Sequence, residues 1–225
     1  MILLGDIHGD FATIVNFARK NEGLEPLYLI QVGDFGAGFH SDFLLDMEYL
    51  NEELSAHNVT LYVIRGNHDD PKFFTGEYEW SNLKLLKDYT VLTLEGKRIL
   101  LVGGAISIDR LHRTEGKSWW SGEVFNFNPE LLETFEGIDV VITHSSPNFV
   151  FPKTFNNLVM SYAVYDMNLI DDLTQERERF NQMYEILIKK NKIKEWFYGH
   201  FHTTKSEVYE NTRFNVLGIN HFHEL

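Results

Sequence analysis

Hydrophobic positions along the chain follow two rhythms. Short apolar runs bounded by glycine or charge read as buried strands at 1–5, 26–32 (PLYLIQV), 59–64 (VTLYVI) and 138–143. Between the first three, apolar residues recur at helical spacing. Phe11, Ile14, Val15 and Ala18 predict a helix over 10–20 with Asp10 placed to cap it, and a second helix over 41–54 opens at Ser41 or Asp42. Such alternation predicts βαβ units and a parallel sheet. The middle of the chain differs. Short strand candidates at 83–86, 90–94 and 98–102, broken by Lys87-Asp88 and Glu95-Gly96-Lys97, predict an antiparallel meander. A charged helix is expected over 173–190, with closing strands at 196–198, 206–209 and 213–216. The stretch 148–163 mixes aromatics without a clean period and is expected to be a long irregular excursion, of the kind that is usually functional or mobile. No repeat or linker breaks the pattern, so one domain over 1–225 is expected.

Composition narrows the classes. A chain of 225 residues can bury about 70% of its unfolded surface. At 44% hydrophobic and 24% charged it is neither collagen-like nor disordered throughout. The absence of cysteine excludes disulfides, thiolate zinc sites and a cysteine nucleophile. No apolar run is long enough to cross a bilayer, and Met1 leads straight into a strand with no room for a signal peptide, so a cytoplasmic enzyme without a membrane partner is expected. A formal net charge of −13 disfavours extended nucleic acid as a partner. Ten histidines beside no cysteine turn attention to imidazole chemistry.

The polar residues gather just after the strands. Gly5-Asp6-Ile7-His8-Gly9, Gly33-Asp34-Phe35-Gly36, Gly66-Asn67-His68-Asp69, Thr143-His144 and Gly199-His200-Phe201-His202 each follow a predicted strand. Ligands of open α/β sheets bind beyond the carboxyl ends of the strands, so five loops aim Asp, Asn and His at one rim. Carboxylates and an amide oxygen mixed with imidazoles suit Mn²⁺ first, with Fe, Zn²⁺ or Ni²⁺ as alternatives, better than Ca²⁺ or Cu⁺. Asp6, His8, Asp34, Asn67, His144, His200 and His202 are too many ligands for one tetrahedral site. Two divalent metal ions sharing a carboxylate would use them all, and a pair about 3.5–4 Å apart suits in-line phosphoryl displacement.

In this order and spacing, the five motifs resemble those of the calcineurin-like metallophosphoesterases, from residue 5 to residue 202. The resemblance implies an α/β fold, a four-layer α/β/β/α sandwich around two mixed β-sheets. It implies that Asp6, His8 and His202 hold one metal, that Asn67, His144 and His200 hold the other, and that Asp34 bridges. It implies hydrolysis by direct attack of a metal-bridging hydroxide, with His68 outside the ligand set and acting on the leaving oxygen. The second motif lacks the Asp and Arg that the protein Ser/Thr phosphatase branch carries there, which demotes that activity. Gly103-Gly104-Ala105-x-Ser107-Ile108-Asp109-Arg110, followed by Arg113, Trp119-Trp120 and Glu123, resembles a segment of a bacterial and phage subset of the family.

Arg110 and Arg113 are candidate phosphate contacts, alongside Asn67, and equally candidate loop anchors. Trp119 and Trp120 read as core or as a stacking platform. Asp69 reads as a helix cap or as the orienter of its neighbour. The run Glu176-Arg177-Glu178-Arg179 reads as a salt-bridged helix face. His40, His57, His112, His221 and His223 lack motif spacing and read as structural or surface residues. The leading expectation is a two-metal phosphoesterase acting on a small anionic phosphomonoester or phosphodiester. Behind it stand a Ser/Thr-type protein phosphatase, a nucleotide or nucleic-acid phosphodiesterase, and a non-catalytic scaffold.

Overall fold

The chain as a computed structural model is described over residues 1–21 and 25–225. One sheet contains β1 (Ile2–Leu4), β2 (Leu27–Gln31), β3 (Val59–Val63), β4 (Leu83–Leu85) and β11 (Phe222–Glu224), in the order β11-β1-β2-β3-β4. The other contains β5 (Thr90–Leu94), β6 (Lys97–Val102), β7 (Val140–Thr143), β8 (Glu195–Tyr198), β9 (Lys205–Tyr209) and β10 (Thr212–Val216), in the order β5-β6-β7-β8-β10-β9. Both sheets are mixed: β1, β2, β3 and β4 run parallel with β11 antiparallel, while β6, β7, β8 and β10 run parallel between two antiparallel edges.

Period-two alternation explains the layers. Leu4, Leu29, Leu61 and Val63 face α1 (Phe11–Lys20) and α2 (Phe43–Ala56), packing against Ile14, Ala18, Met47 and Leu50. Their neighbours Leu3 and Ile30 point the other way and meet Ile99, Leu101, Ile142 and Phe197 of the second sheet. Leu100, Val141, Trp196 and Tyr198 then face outward onto Leu132 of α3 (Pro129–Leu132) and Phe180, Met183, Tyr184 and Leu187 of α5 (Leu169–Ile188). Three apolar interfaces between helices, sheet, sheet and helices make the expected α/β/β/α sandwich. No helix of the described residues is long and apolar enough to cross a membrane.

Several expectations need correction. The 83–86 strand is not part of a meander: β4 joins the first sheet parallel to β3, and the chain crosses between sheets before β5, so of these three strands β5 and β6 alone form a hairpin. The excursion at 148–163 is not wholly irregular, since Asn156 accepts from the Val159 N–H and starts α4 (Asn157–Ala163). Helix α5 begins at Leu169, four residues earlier than its charged segment implies. Asp10 makes no capping bond; its carboxylate takes the Thr13 hydroxyl and the Asn220 amide. The strand β11, pairing Phe222 with Leu4, lies outside the expected elements; His223 belongs to it, at the edge of the first sheet.

Candidate metal centre and its cavity

Parallel strands deliver the five loops to one rim. Two groups of ligand atoms form there, each within 4.8 Å of one another: Asp6, His8, Asp34 and His202, and then Asp34, His144 and His200. Asn67 joins the second, its Oδ1 being 3.1 Å from His144 Nε2 and 2.7 Å from His200 Nδ1. All seven expected ligands therefore converge, and Asp34 belongs to both groups. None of His40, His57, His112, His221 and His223 joins either group among the described residues.

The backbone reaches this arrangement under strain. His8, Asp34, His200 and His202 all lie in the left-handed region, at φ of +47°, +57°, +68° and +51°. Such conformations persist only where surrounding bonds over-determine them. Those bonds are visible. The buried Asp69 carboxylate accepts from the N–H groups of Phe35, Gly36, Ala37 and Gly66 at 2.6–3.1 Å, stapling the second motif to the third. Buried Gln31 takes the Gly33 N–H at 3.0 Å and donates to the Gly5 carbonyl at 3.3 Å. Gly66 and Gly199 let the loops close down on the carboxylates: a Cβ there would stand 2.2 Å from Asp34 Oδ1 and 2.0 Å from Asp6 Oδ1.

Other bonds aim the donor atoms. His144 Nδ1 lies 2.8 Å from the Val32 carbonyl, which fixes the proton on Nδ1 and turns Nε2 toward Asp34 Oδ1, 3.1 Å away. Asn67 donates its amide to Ser107 Oγ at 3.0 Å, and Ser107 donates in turn to Glu123 Oε2 at 2.7 Å. That chain leaves only the carbonyl oxygen of Asn67 facing the imidazoles. The sequence marks Ser107 and Glu123 as part of a motif without assigning them this role.

The charge pattern fits a metal. One oxygen on each buried carboxylate, Asp6 Oδ1 and Asp34 Oδ2, has no hydrogen-bond partner. Burial pushes His8 down to about 4 and holds His200 and His202 below the usual imidazole range, so these rings stand neutral with a lone pair to give. Burial also opposes charge on His144, but Asp34 and Asp6 outweigh it and raise that ring to about 9. The two carboxylates thus draw a proton to the place where a cation's charge would serve.

The substrate-facing candidates divide. Arg113 lies at the cavity, its Nη1 and Nη2 each 3.1 Å from a ring nitrogen of His68 and its Nε bonded to Asp109 Oδ1 at 2.6 Å. Arg110, a candidate phosphate contact and equally a candidate loop anchor, is an anchor: Nε reaches Asp166, just before α5, at 2.6 Å and Nη2 reaches Asp172 on α5 at 2.6 Å. It does not line the cavity, and neither do Trp119 and Trp120. Trp120 is buried, its ring edge-on to Phe39 at 5.2 Å. The salt-bridged face expected at 176–179 does not form among the described residues: Glu178 takes the Asn181 amide, and Glu176 and Arg177 are each 3% exposed and line the cavity. Their spacing from Leu169, Leu173, Phe180 and Tyr184 is the signal that would have found them.

A family model described as calcineurin-like phosphoesterase matches residues 1–204. No curated protein matches the chain. Among solved structures, a Thermus thermophilus protein is similar at 12% identity and a TM-score of 0.49, over 97% of this chain and 89% of that one. A Streptococcus pneumoniae protein described as a predicted phosphoesterase is similar at 14% identity and a TM-score of 0.36, over 97% and 72%. A Plasmodium protein described as the anchor in the inner membrane complex is similar at 12% identity and a TM-score of 0.48, over 97% and 71%.

Proposed function

The chain belongs to the calcineurin-like phosphoesterases, hydrolases acting on phosphoric ester bonds, and from that premise we propose that it cleaves a phosphomonoester or small phosphodiester with two divalent metal ions. The observation that carries this reading is the sharing of Asp34 between two ligand groups at one rim. Asp6, His8 and His202 hold one ion; Asn67, His144 and His200 hold the other; Asp34 serves both. Mn²⁺ suits this oxygen and nitrogen set first, before Fe, Zn²⁺ or Ni²⁺. When bound, the ions supply an ionised water at neutral pH and neutralise charge on the phosphoryl oxygens.

The chain's own residues do the rest. Ser107 keeps the Asn67 carbonyl turned inward. Arg113 offers its guanidinium fork at the rim, where it suits a phosphate oxygen. In neutral His68 only one ring nitrogen can accept from Arg113; the other carries an N–H that faces a second guanidinium nitrogen, donor against donor, and a turn of the ring would bring that N–H to the leaving oxygen. Asp109 holds Arg113 in place, where the protein phosphatase branch would have an acid behind the histidine.

The test starts from metal-free protein reloaded with Mn²⁺. Hydrolysis of p-nitrophenyl phosphate, bis-p-nitrophenyl phosphate and thymidine p-nitrophenyl phosphate is followed beside metal content. Turnover of at least one ester with two ions per chain is expected. Two tightly bound ions with silence on all three would overturn the reading in favour of a scaffold. In the same assay His68→Ala is expected to keep both ions and to lose about 10²–10⁴-fold on esters with poor leaving groups; metal loss in that variant would contradict the role.

A further inference from the structure

The metal-facing residues form only one end of a cavity of about 480 Å³. That volume lies within the range of small-molecule sites, about 300–1,000 Å³. Phe151, Leu158, Val159, Tyr162 and Leu173 make the other end largely apolar. Also in the lining is the carboxylate of Glu176, beside Ser145, the residue after His144. The residue is 3% exposed and neither of its oxygens makes a hydrogen bond; burial raises its carboxyl to about 7, against the opposing pull of the nearby Ser145 hydroxyl. Arg177 relieves it only through its charge and not by a hydrogen bond. The Arg177 Nη2 donates to the carbonyls of Pro147 at 2.6 Å and Pro152 at 2.9 Å, and its guanidinium lies 5.2 Å from the Phe201 ring centroid.

A buried carboxylate without a partner is expensive, and replacing such a group by an apolar one of similar volume is often stabilising. Glu176 lies on the face of α5 that also carries Leu173 and Phe180, where an apolar side chain would serve the core as well. Its cost is explained if a ligand completes it. We propose that the cavity beyond the metal ligands is a leaving-group subsite, in which Glu176 accepts a hydrogen bond from an N–H or O–H carried by a compact, otherwise apolar alcohol or phenol esterified to the phosphate at the metals. The subsite rests on the phosphoesterase reading above and deepens it. It selects small aromatic or comparably apolar monoesters over bare polyol phosphates, and over esters that lack the donor.

Two near-isosteric pairs test it. 4-Aminophenyl phosphate is set against 4-methylphenyl phosphate, and 4-(2-aminoethyl)phenyl phosphate against 4-propylphenyl phosphate. With Mn²⁺-loaded protein, the amino member of at least one pair is expected to show kcat/KM about tenfold to a hundredfold above its partner, a ratio that Glu176→Met, which has no acceptor oxygen, brings close to one. The matching free phenols are titrated calorimetrically into metal-free protein, where the same preference and its loss in Glu176→Met are expected without turnover. Equal binding within both pairs, or a preference that Glu176→Met leaves intact, overturns the subsite. Hydrolysis without preference sinks the subsite and leaves the phosphoesterase standing; binding preference without any hydrolysis does the reverse. Glu176→Met checks folding. Its Tm is expected to rise by about 2–4 °C, and a fall would assign the carboxylate to the fold instead.

Discussion

The floor and the far wall of the cavity are built in different ways. The floor, loops 5–9, 33–38 and 66–69 with His144 and His200, is held by backbone. Four N–H groups converge on Asp69, Gln31 braces two loops, and four left-handed non-glycine residues are pinned between them. The far wall, residues 105–113 and 148–166 against α5, is held by long side chains: Arg110 to Asp166 and Asp172, and Arg177 to the carbonyls of 147–152. Backbone clamps leave little freedom and suit metal ligands, which must sit within tenths of an ångström. Side-chain clamps can be re-cut one residue at a time, which suits a surface that chooses a leaving group. The contrast teaches where chemistry and choice are separately encoded.

Substitutions can break or sharpen that contrast. The largest effect belongs to the floor: Asp34→Asn removes the carboxylate common to both ligand groups, and hydrolysis is expected to fall about a thousandfold or more, with both ions weakened. Metal analysis that finds two tight ions in this variant would contradict the shared role. Asp69→Asn keeps the shape but points an amide at converging N–H donors, and is expected to cost about 2–4 kcal/mol in urea unfolding. Ser107→Ala frees the Asn67 amide to rotate, so affinity for one of the two ions should drop about 10–100-fold with little change in Tm. The smallest effects make the sharpest pair. Arg110→Ala is expected to lower stability by about 1–2 kcal/mol and to leave turnover of p-nitrophenyl phosphate near normal, whereas Arg113→Ala lowers kcat/KM and hardly moves Tm. If both variants behaved alike, the division of labour between these two arginines would be wrong.

The floor is readable in the sequence because each of its motifs is short, contiguous and placed where a buried strand ends. Glycine beside Asp, Asn or His declares a tight turn and a ligand in the same few letters. The wall is not readable that way. Arg110 and Arg113 stand three residues apart, and what separates their duties is Asp166, 56 residues from Arg110. Strand β4 shows why the meander fails: three alternating residues, Leu83 to Leu85, look the same whether the neighbouring strand is parallel or antiparallel. At Glu176 and Arg177 the information is present but outweighed. Helical spacing puts both on the inner face of α5, but alternating charges suggest solvent, and residue type prevails over period.

The Arg110 anchor has a consequence for the medium in which the protein works. Asp172 is 38% exposed, while Asp166 is 9% exposed, so the outer half of this clamp lies within reach of dissolved ions and the inner half is sheltered. The Debye length shrinks from about 8 Å at physiological ionic strength to about 3 Å at 1 M. Added salt therefore loosens the outer half first and works through the wall before it reaches the floor, whose staples are N–H groups on a buried carboxylate. In brine the ligand-bearing end of the cavity is expected to hold its shape while the wall around it loosens.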